Sequence, residues 1–258
     1  MHDDDELAGS LTELSGLLTG RSNLEQTLVR VAELAVHAIP GAQGAGLTLL
    51  EQDRPQTVVA TAAFVSQVDD IQYGISEGPC VSAVTEGRTF ISGNLGGEPQ
   101  WPRFGPRVGR LGVHSALSLP LLLPDKTVGA LNVYAHARDS FDSDALRLGE
   151  AFAGPAAVSV ANAQMLAQAE RLVAQLTEAM TSRAHIDQAI GIVMSRSGGT
   201  PEQAFDRLRA QSQSRSTKLT AVARELIDDA VGRARARHDA APRVADNDRP
   251  DQRSGPAD

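Results

Sequence analysis

The side chains best placed for chemistry are cations near the C-terminal end of the chain. Arg183, Arg196, Arg209, Arg215, Lys218 and Arg224, with the hydroxyl of Ser212 among them, lie off the apolar stripes or near helix ends. Guanidinium and ammonium groups spaced this way pair with the phosphates of a polyanion and do not assemble a proton-transfer device. Charge counting localises the property. Residues 1–175 hold 11 Lys+Arg against 20 Asp+Glu, whereas residues 176–238 hold 10 against 7. An acidic body carries a basic module, although the whole chain has a formal net charge of -8. A solvated helical surface is the competing explanation of that excess.

Other chemistries find little support. His2, His37, His114, His136, His185 and His238 never group with cysteine or carboxylates at metal-ligand spacing, so no metal site is expected. Cys80 is the one cysteine and follows Gly78-Pro79. Near a helix start it could be a thiolate-prone redox group, or it could be an inert buried thiol. No glycine-rich phosphate loop, nucleophile elbow or histidine-containing triad is present, and no enzyme and no cofactor is expected. The first residues, Met1-His2-Asp3-Asp4-Asp5-Glu6, are acidic where a signal peptide is basic. No apolar run approaches the roughly 18 residues of a membrane span. These features predict a cytoplasmic protein without membrane attachment.

The elements that must position these groups follow from periodicity. Leu14, Leu17, Leu18, Leu24, Leu28, Val31, Ala35 and Val36 keep a helical period, broken at residues 20–22 and stopped by Pro40-Gly41. Residues 45–50 and 57–64 read as strands around a polar turn at 51–55, and residues 113–123 and 127–134 as a second pair around Pro124-Asp125-Lys126. Asp142 or Ser143 caps a helix that begins near Asp144. The prediction is an α+β layer, an antiparallel sheet with helices on one face and the terminal helices side by side.

In order and spacing, Gln72-Tyr73, Glu77-Gly78-Pro79-Cys80, Trp101-Pro102-Arg103-Phe104, Gly112-Val113-His114-Ser115, Leu119-Pro120-Leu121 and Val128-Gly129-Ala130-Leu131-Asn132-Val133-Tyr134 resemble the GAF sensor domain. The resemblance covers roughly residues 11–168. It implies a pocket for a small ligand between sheet and loops, with Tyr73, Cys80, Trp101, Phe104, Ser115 and Tyr134 as pocket candidates. Core packing is the alternative role for Trp101 and both tyrosines. Phe141 is not followed at the right spacing by an Asp-Glu pair, so the cyclic-nucleotide type of this domain is not matched.

Further along, Val158, Asn162, Met165, Ala169, Leu172, Leu176, Ala179, Arg183, Ile186, Ile190 and Val193 step alternately by four and three. A 3.5-residue seam of that length winds two helices together and predicts a homodimer. The alternative is a stripe packed within its own domains. Pro155 sits just ahead, where it would kink or restart the helix.

Gly198-Gly199 ends this helix, and Thr200-Pro201-Glu202-Gln203 opens another with a capping box. Ala204, Phe205 and Leu208 give its core face, and Leu219, Val222, Ala223, Leu226, Ile227, Ala230 and Val231 mark a third helix. The result is a C-terminal three-helix bundle. Ser182-Arg183, Ile186, Ala189, Gly191, Met194, Ala204-Phe205, Leu208-Arg209, Leu219 and Val222-Ala223 resemble the ANTAR family of transcription antitermination regulators. That resemblance implies a dimer that binds hairpin loops in leader mRNA and prevents terminator formation, under control of the sensor. The seven polar residues named first are its candidate RNA contacts, with Arg183 equally suited to the dimer seam. Two alternatives are a DNA-binding helical regulator, disfavoured by the acidic Glu225, Asp228 and Asp229 of the third helix, and a ligand-sensing protein-interaction adaptor.

The predicted organisation is a flexible N-terminus at 1–10, a GAF-like sensor at 11–168, an ANTAR RNA-binding domain at 169–235 whose first helix continues from the sensor, and a disordered tail at 236–258.

Overall fold

The structure is a computed structural model that describes residues 2–17, 23–51 and 54–240. The chain divides into two compact units, Met1–Arg171 and Leu172–Asp258.

The first unit opens with helices α1 (His2–Leu17) and α2 (Leu24–Ala38). Asn23 caps α2 reciprocally with Gln26: its side chain accepts from the Gln26 N–H at 2.9 Å, and its own N–H donates to Gln26 Oε1 at 3.2 Å. Strands β1 (Gly44–Glu51) and β2 (Arg54–Ala60) follow, then α3 (Ala63–Ile75), α4 (Pro79–Glu86), the short β3 (Phe90–Ser92), a 3-10 turn at Leu95–Gly97 and α5 (Gly105–Gly109). β4 (Ser115–Leu123) and β5 (Lys126–Ala135) lead into α6 (Ser143–Ser197). The sheet runs β2-β1-β5-β4-β3, with antiparallel neighbours throughout.

Alternation along the strands sorts side chains into two cores. Leu47, Leu117, Leu119, Leu131 and Val133 face one side, against Leu28 and Val31 of α2 and Leu148, Phe152 and Ala156 of α6. Ala116 and Tyr134 face the other, with Val65 and Val68 of α3, Ala83 of α4, and Trp101, Phe104 and Val108. Helices therefore cover both faces, not one as the sequence suggests. β4 and β5 are buried along most of their length, and strands enclosed on both sides lose the polar alternation that marks a wet face.

Three more differences have local causes. Residues 2–10, within the stretch expected to be flexible, lie in α1, because Leu7 continues the stripe of Leu11 and Leu14 and is buried with Leu14. The strand expected over 57–64 ends at Ala60, and Ala63 already begins α3. The break expected at residues 20–22, and part of the turn at 51–55, lie outside the described residues. Helix α6 spans 55 residues with Pro155 inside it, so the helix does not restart there.

The second unit contains the end of α6, α7 (Pro201–Ser214) and α8 (Leu219–Ala240). Gly198 and Gly199, at φ 64° and 99°, stop α6 in a conformation that side chains disfavour. Thr200 and Gln203 form the capping box of α7. Ala189, Leu208, Val222 and Ala223 are buried at the centre, with Ile186, Ile190, Val193, Leu219 and Leu226 packed around them. Phe205, expected in this core, is 37% exposed. Ala204 and Leu208 share the inward face, and Phe205 lies about 100° around the helix from Ala204. α8 continues through Ala240, so the tail expected from residue 236 begins with helix; residues 241–258 lie outside the described residues.

Candidate functional site

Helix α3 turns an unusual face to the sheet: Val65, Val68, Asp69 and Gln72, two apolar and two polar residues at helical spacing, all buried. Glycines on β1 admit it. A Cβ on Gly46 would stand 2.6 Å from Asp69 Oδ2, and one on Gly44 2.7 Å from Phe64 Cζ. Gly78 serves the same end where α3 passes to α4. Its φ of 151° suits glycine, and a Cβ there would lie 2.6 Å from Gln72 Oε1.

These approaches bring a set of polar groups together, fully buried except for the partly buried Tyr73. Tyr134 OH donates to Asp69 Oδ1 at 2.7 Å, and Gln72 Nε2 donates to Asp69 Oδ1 at 2.8 Å and to Tyr134 OH at 3.0 Å. The Cys80 N–H donates to Gln72 Oε1 at 3.1 Å, fastening the start of α4 to α3. Thr48 Oγ1 on β1 meets Tyr73 OH, accepts from Asn132 Nδ2 at 3.3 Å, and lies 3.4 Å from Cys80 Sγ. Tyr73 OH and Cys80 Sγ are 3.5 Å apart. Among the described residues three buried side-chain atoms have no hydrogen-bond partner, His114 Nδ1, Ser118 Oγ and Asn132 Oδ1, and the residues of the last two face each other across β4 and β5.

Burial, and next the charge of Asp69, pushes the Cys80 thiol up to about 11. The same environment, burial foremost, raises the Tyr73 and Tyr134 hydroxyls. Cys80 is buried, and its raised pKa disfavours the thiolate through which a thiol reacts.

A latch closes the edge of this region. Glu77 accepts from the Arg103 N–H at 2.6 Å, the Phe104 N–H at 3.0 Å and Arg103 Nε at 2.7 Å, while Arg103 also reaches the Ile75 carbonyl at 3.0 Å. Partial burial pushes the Glu77 carboxyl upward, but the Arg103 guanidinium and the two backbone donors outweigh it and hold the group below its usual range.

Of the expected pocket residues, Tyr73, Cys80 and Tyr134 meet in the polar cluster. Trp101 and Phe104 are buried in the adjoining apolar core, where Trp101 Nε1 donates to Ser82 Oγ at 3.1 Å and its ring lies 5.9 Å from that of Phe90. Ser115 stands apart: its hydroxyl donates to the Ala137 carbonyl at 2.8 Å and accepts from the Ser140 N–H at 3.2 Å. Sequence reading missed Thr48, Asp69, Gln72, Ser118 and Asn132. The available signal was a polar residue at a position whose neighbours two or four along are buried.

In the second unit the cations divide. Arg183 is 85% exposed on its side chain, with Asp187 at 4.0 Å; Arg196, Arg209 and Lys218 are exposed. Arg215 makes a two-pronged pair with Glu225 at 2.7 and 3.1 Å, and Arg224 Nε lies 3.4 Å from His185 Nδ1. Ser212 Oγ donates to the Thr217 carbonyl at 2.6 Å, closing the turn between α7 and α8. Arg196 also borders a groove between α6 and α8, together with Arg233 and Arg237, which sequence reading did not single out.

A GAF domain family model matches residues 21–161, and an ANTAR domain model matches residues 174–227. The first match spans more than half of the 258 residues, and the chain belongs to the GAF domain family. With both matches it is a GAF and ANTAR domain-containing protein, a pairing of two regulatory domains, a sensor and the RNA-binding module of antitermination regulators. No curated protein sequence matches the chain. Among solved structures, a GAF domain is similar at 17% identity over 61% of this chain and 88% of that one, with TM-score 0.48. The GAF domain of a phosphoenolpyruvate-protein phosphotransferase from Coxiella burnetii is similar at 18% identity, covering 66% and 97%, with TM-score 0.48. Free methionine-R-sulfoxide reductase from Neisseria meningitidis, in complex with its substrate, is similar at 14% identity, covering 62% and 91%, with TM-score 0.48. No helix among the described residues is long and apolar enough to cross a membrane, and no metal-ligating cluster occurs among them.

Proposed function

We propose that the protein is a cytoplasmic antitermination regulator: its second unit, as a homodimer, binds hairpin loops in leader mRNA and prevents terminator formation, and its first unit sets that activity in response to a small ligand. The observation that carries the reading is the coincidence of the ANTAR match at 174–227 with the one basic stretch of an acidic chain. Arg183, Arg196, Arg209 and Lys218 are the exposed phosphate contacts. Arg215 and Ser212 shape the turn beside them and act through it. Retention of double-hairpin leader RNA, duplex DNA of matched length and scrambled RNA across a salt series tests the reading. Equal retention of all three, or binding to DNA alone, overturns it.

Two further parts belong to this reading. The dimer forms along α6, where Val158, Met165, Leu172 and Leu176 of the seam are exposed apolar side chains. Ile186, Ile190 and Val193 of the same seam pack on the core of their own unit, so the paired segment ends before them. Replacing Leu172 and Leu176 by aspartate shifts the sedimentation of the full chain from dimer to monomer; an unchanged dimer rejects this seam. The ligand lies at the polar cluster of Tyr73, Cys80 and Tyr134, with Trp101 and Phe104 as its apolar wall and Ser115 at the loop edge. Ser118 Oγ and Asn132 Oδ1 are the polar atoms left to recognise it.

A further inference from the structure

We propose that the groove between α6 and α8 receives an unstacked nucleobase from an RNA loop, with the flanking phosphates held by Arg196 and Arg237. The proposal rests on the RNA-binding reading above and names the part of the surface that distinguishes a loop from a duplex.

The groove is built from matching faces of two helices. Gly191 and Ile192 of α6 and Ile227, Ala230 and Val231 of α8 make its floor, an aliphatic surface suited to the flat face of a base. Gln188 and Ser195, seven residues apart and so on one side of α6, bring side-chain donors and acceptors to the edge of that floor. Its volume of about 860 Å³ falls within the range of small-molecule sites.

Charge decides which occupant suits it. Arg196 and Arg237 border the groove, are exposed, and have no carboxylate partner among the described residues; Arg233 is held by Asp229 at 2.6 Å. Guanidinium planes stack on bases as well as pairing with phosphates, which offsets the lack of an aromatic side chain in the groove. A second groove of the same unit is bordered by Glu225, Asp228, Asp229 and Arg233; Arg215 holds Glu225 and Arg233 holds Asp229, which leaves Asp228, without a cation partner among the described residues, to disfavour a phosphodiester there. A loop nucleotide therefore has one acceptable seat of the two.

Gly191 supplies an independent observation. Glycine inside a helix weakens it relative to alanine, yet a Cβ at Gly191 would meet nothing within 4 Å. No neighbour among the described residues requires the missing side chain, and its absence leaves the α6 backbone open to close approach from the groove.

The test uses the full chain and a pool of RNA stem-loops with randomised loops, compared with the same stem closed as a blunt duplex. Gly191→Met fills the groove without changing charge, and its Cβ meets no atom of a described residue within 4 Å. The expected result is at least a tenfold loss of stem-loop affinity, with duplex affinity and sedimentation unchanged and a thermal melt no lower than that of the unaltered protein. Ala234→Met, on the exposed face of α8 bordering the same groove, repeats the test should the first variant alter the fold. Arg196→Gln with Arg237→Gln weakens both RNAs and flattens the slope of log K against log salt by about one to two. If the filled groove retains the loop preference, the base seat is wrong and RNA binding stands. If the unaltered protein shows no preference for loops over duplex, the RNA-loop reading itself fails. If filling the groove changes sedimentation, the groove is a contact between copies of the chain and the proposal is overturned.

Discussion

Deleting one hydroxyl from the polar cluster is a sharp test of its construction. Tyr134→Phe keeps the buried ring and removes both bonds of its oxygen, the donation to Asp69 at 2.7 Å and the acceptance from Gln72 at 3.0 Å. A bond to a carboxylate contributes about 1.5–3 kcal/mol and a neutral one about 1 kcal/mol, so the variant loses about 2–4 kcal/mol. For a unit of 171 residues that lowers Tm by about 5–15 °C. The assay can isolate this unit. Trp101 is the sole tryptophan of the chain and is 2% exposed in the core beside the cluster, so its fluorescence follows the first unit alone. Ser118→Ala is the control. Its hydroxyl is buried with no partner, and removing it is neutral or stabilising. Unfolding of Tyr134→Phe within 1 °C of the unaltered protein, or equal damage from Ser118→Ala, would show that the Tyr134 hydroxyl does not hold the cluster.

Other outcomes follow from the same geometry. Because Glu77 titrates below its usual 4.5, its latch contributes stability above that value and loses it as pH falls through the lowered one. Urea midpoints of the unaltered protein and Glu77→Gln should accordingly differ at pH 7 and converge on acidification; a constant difference rejects the latch. With its thiol pushed up to about 11, Cys80 should react with a disulfide reagent at pH 8 only as fast as the first unit opens, a rate that rises with urea. Rapid labelling of the native protein contradicts its burial. Thr200→Ala removes the cap of α7, and the helical melt of the second unit should lose about 1 kcal/mol; no change means that the box contributes nothing in solution.

The sequence disclosed most where one physical signal acted alone. The capping box of Thr200 and Gln203 and the two central strands follow from local pattern. The motifs behind the GAF resemblance also acquire causes, since Glu77 and Arg103 form the latch, Gly78 admits Gln72, and Asn132 and Tyr134 of β5 supply the cluster. Helix α3 was hidden because two of its buried positions hold Asp69 and Gln72, which erase the apolar period where the site is built. The pair of Arg215 with Glu225 spans a turn and ten residues, and only the folded bundle brings the two together. Likewise, Arg196 and Arg237 share a groove because α8 returns past α6, which spacing along the chain does not disclose.

If the second unit binds as proposed, it grips RNA by its exposed arginines and prefers loops. The most direct measurement is the affinity of the full chain for a double-hairpin RNA, for duplex DNA of equal length and for scrambled RNA, each between 50 and 200 mM salt, conditions over which phosphate contacts weaken steeply. The expected result is tightest binding to the hairpin RNA at every salt concentration, with log K falling linearly against log salt. Equal affinity for the three nucleic acids, or an affinity for hairpin RNA that does not change with salt, would contradict it.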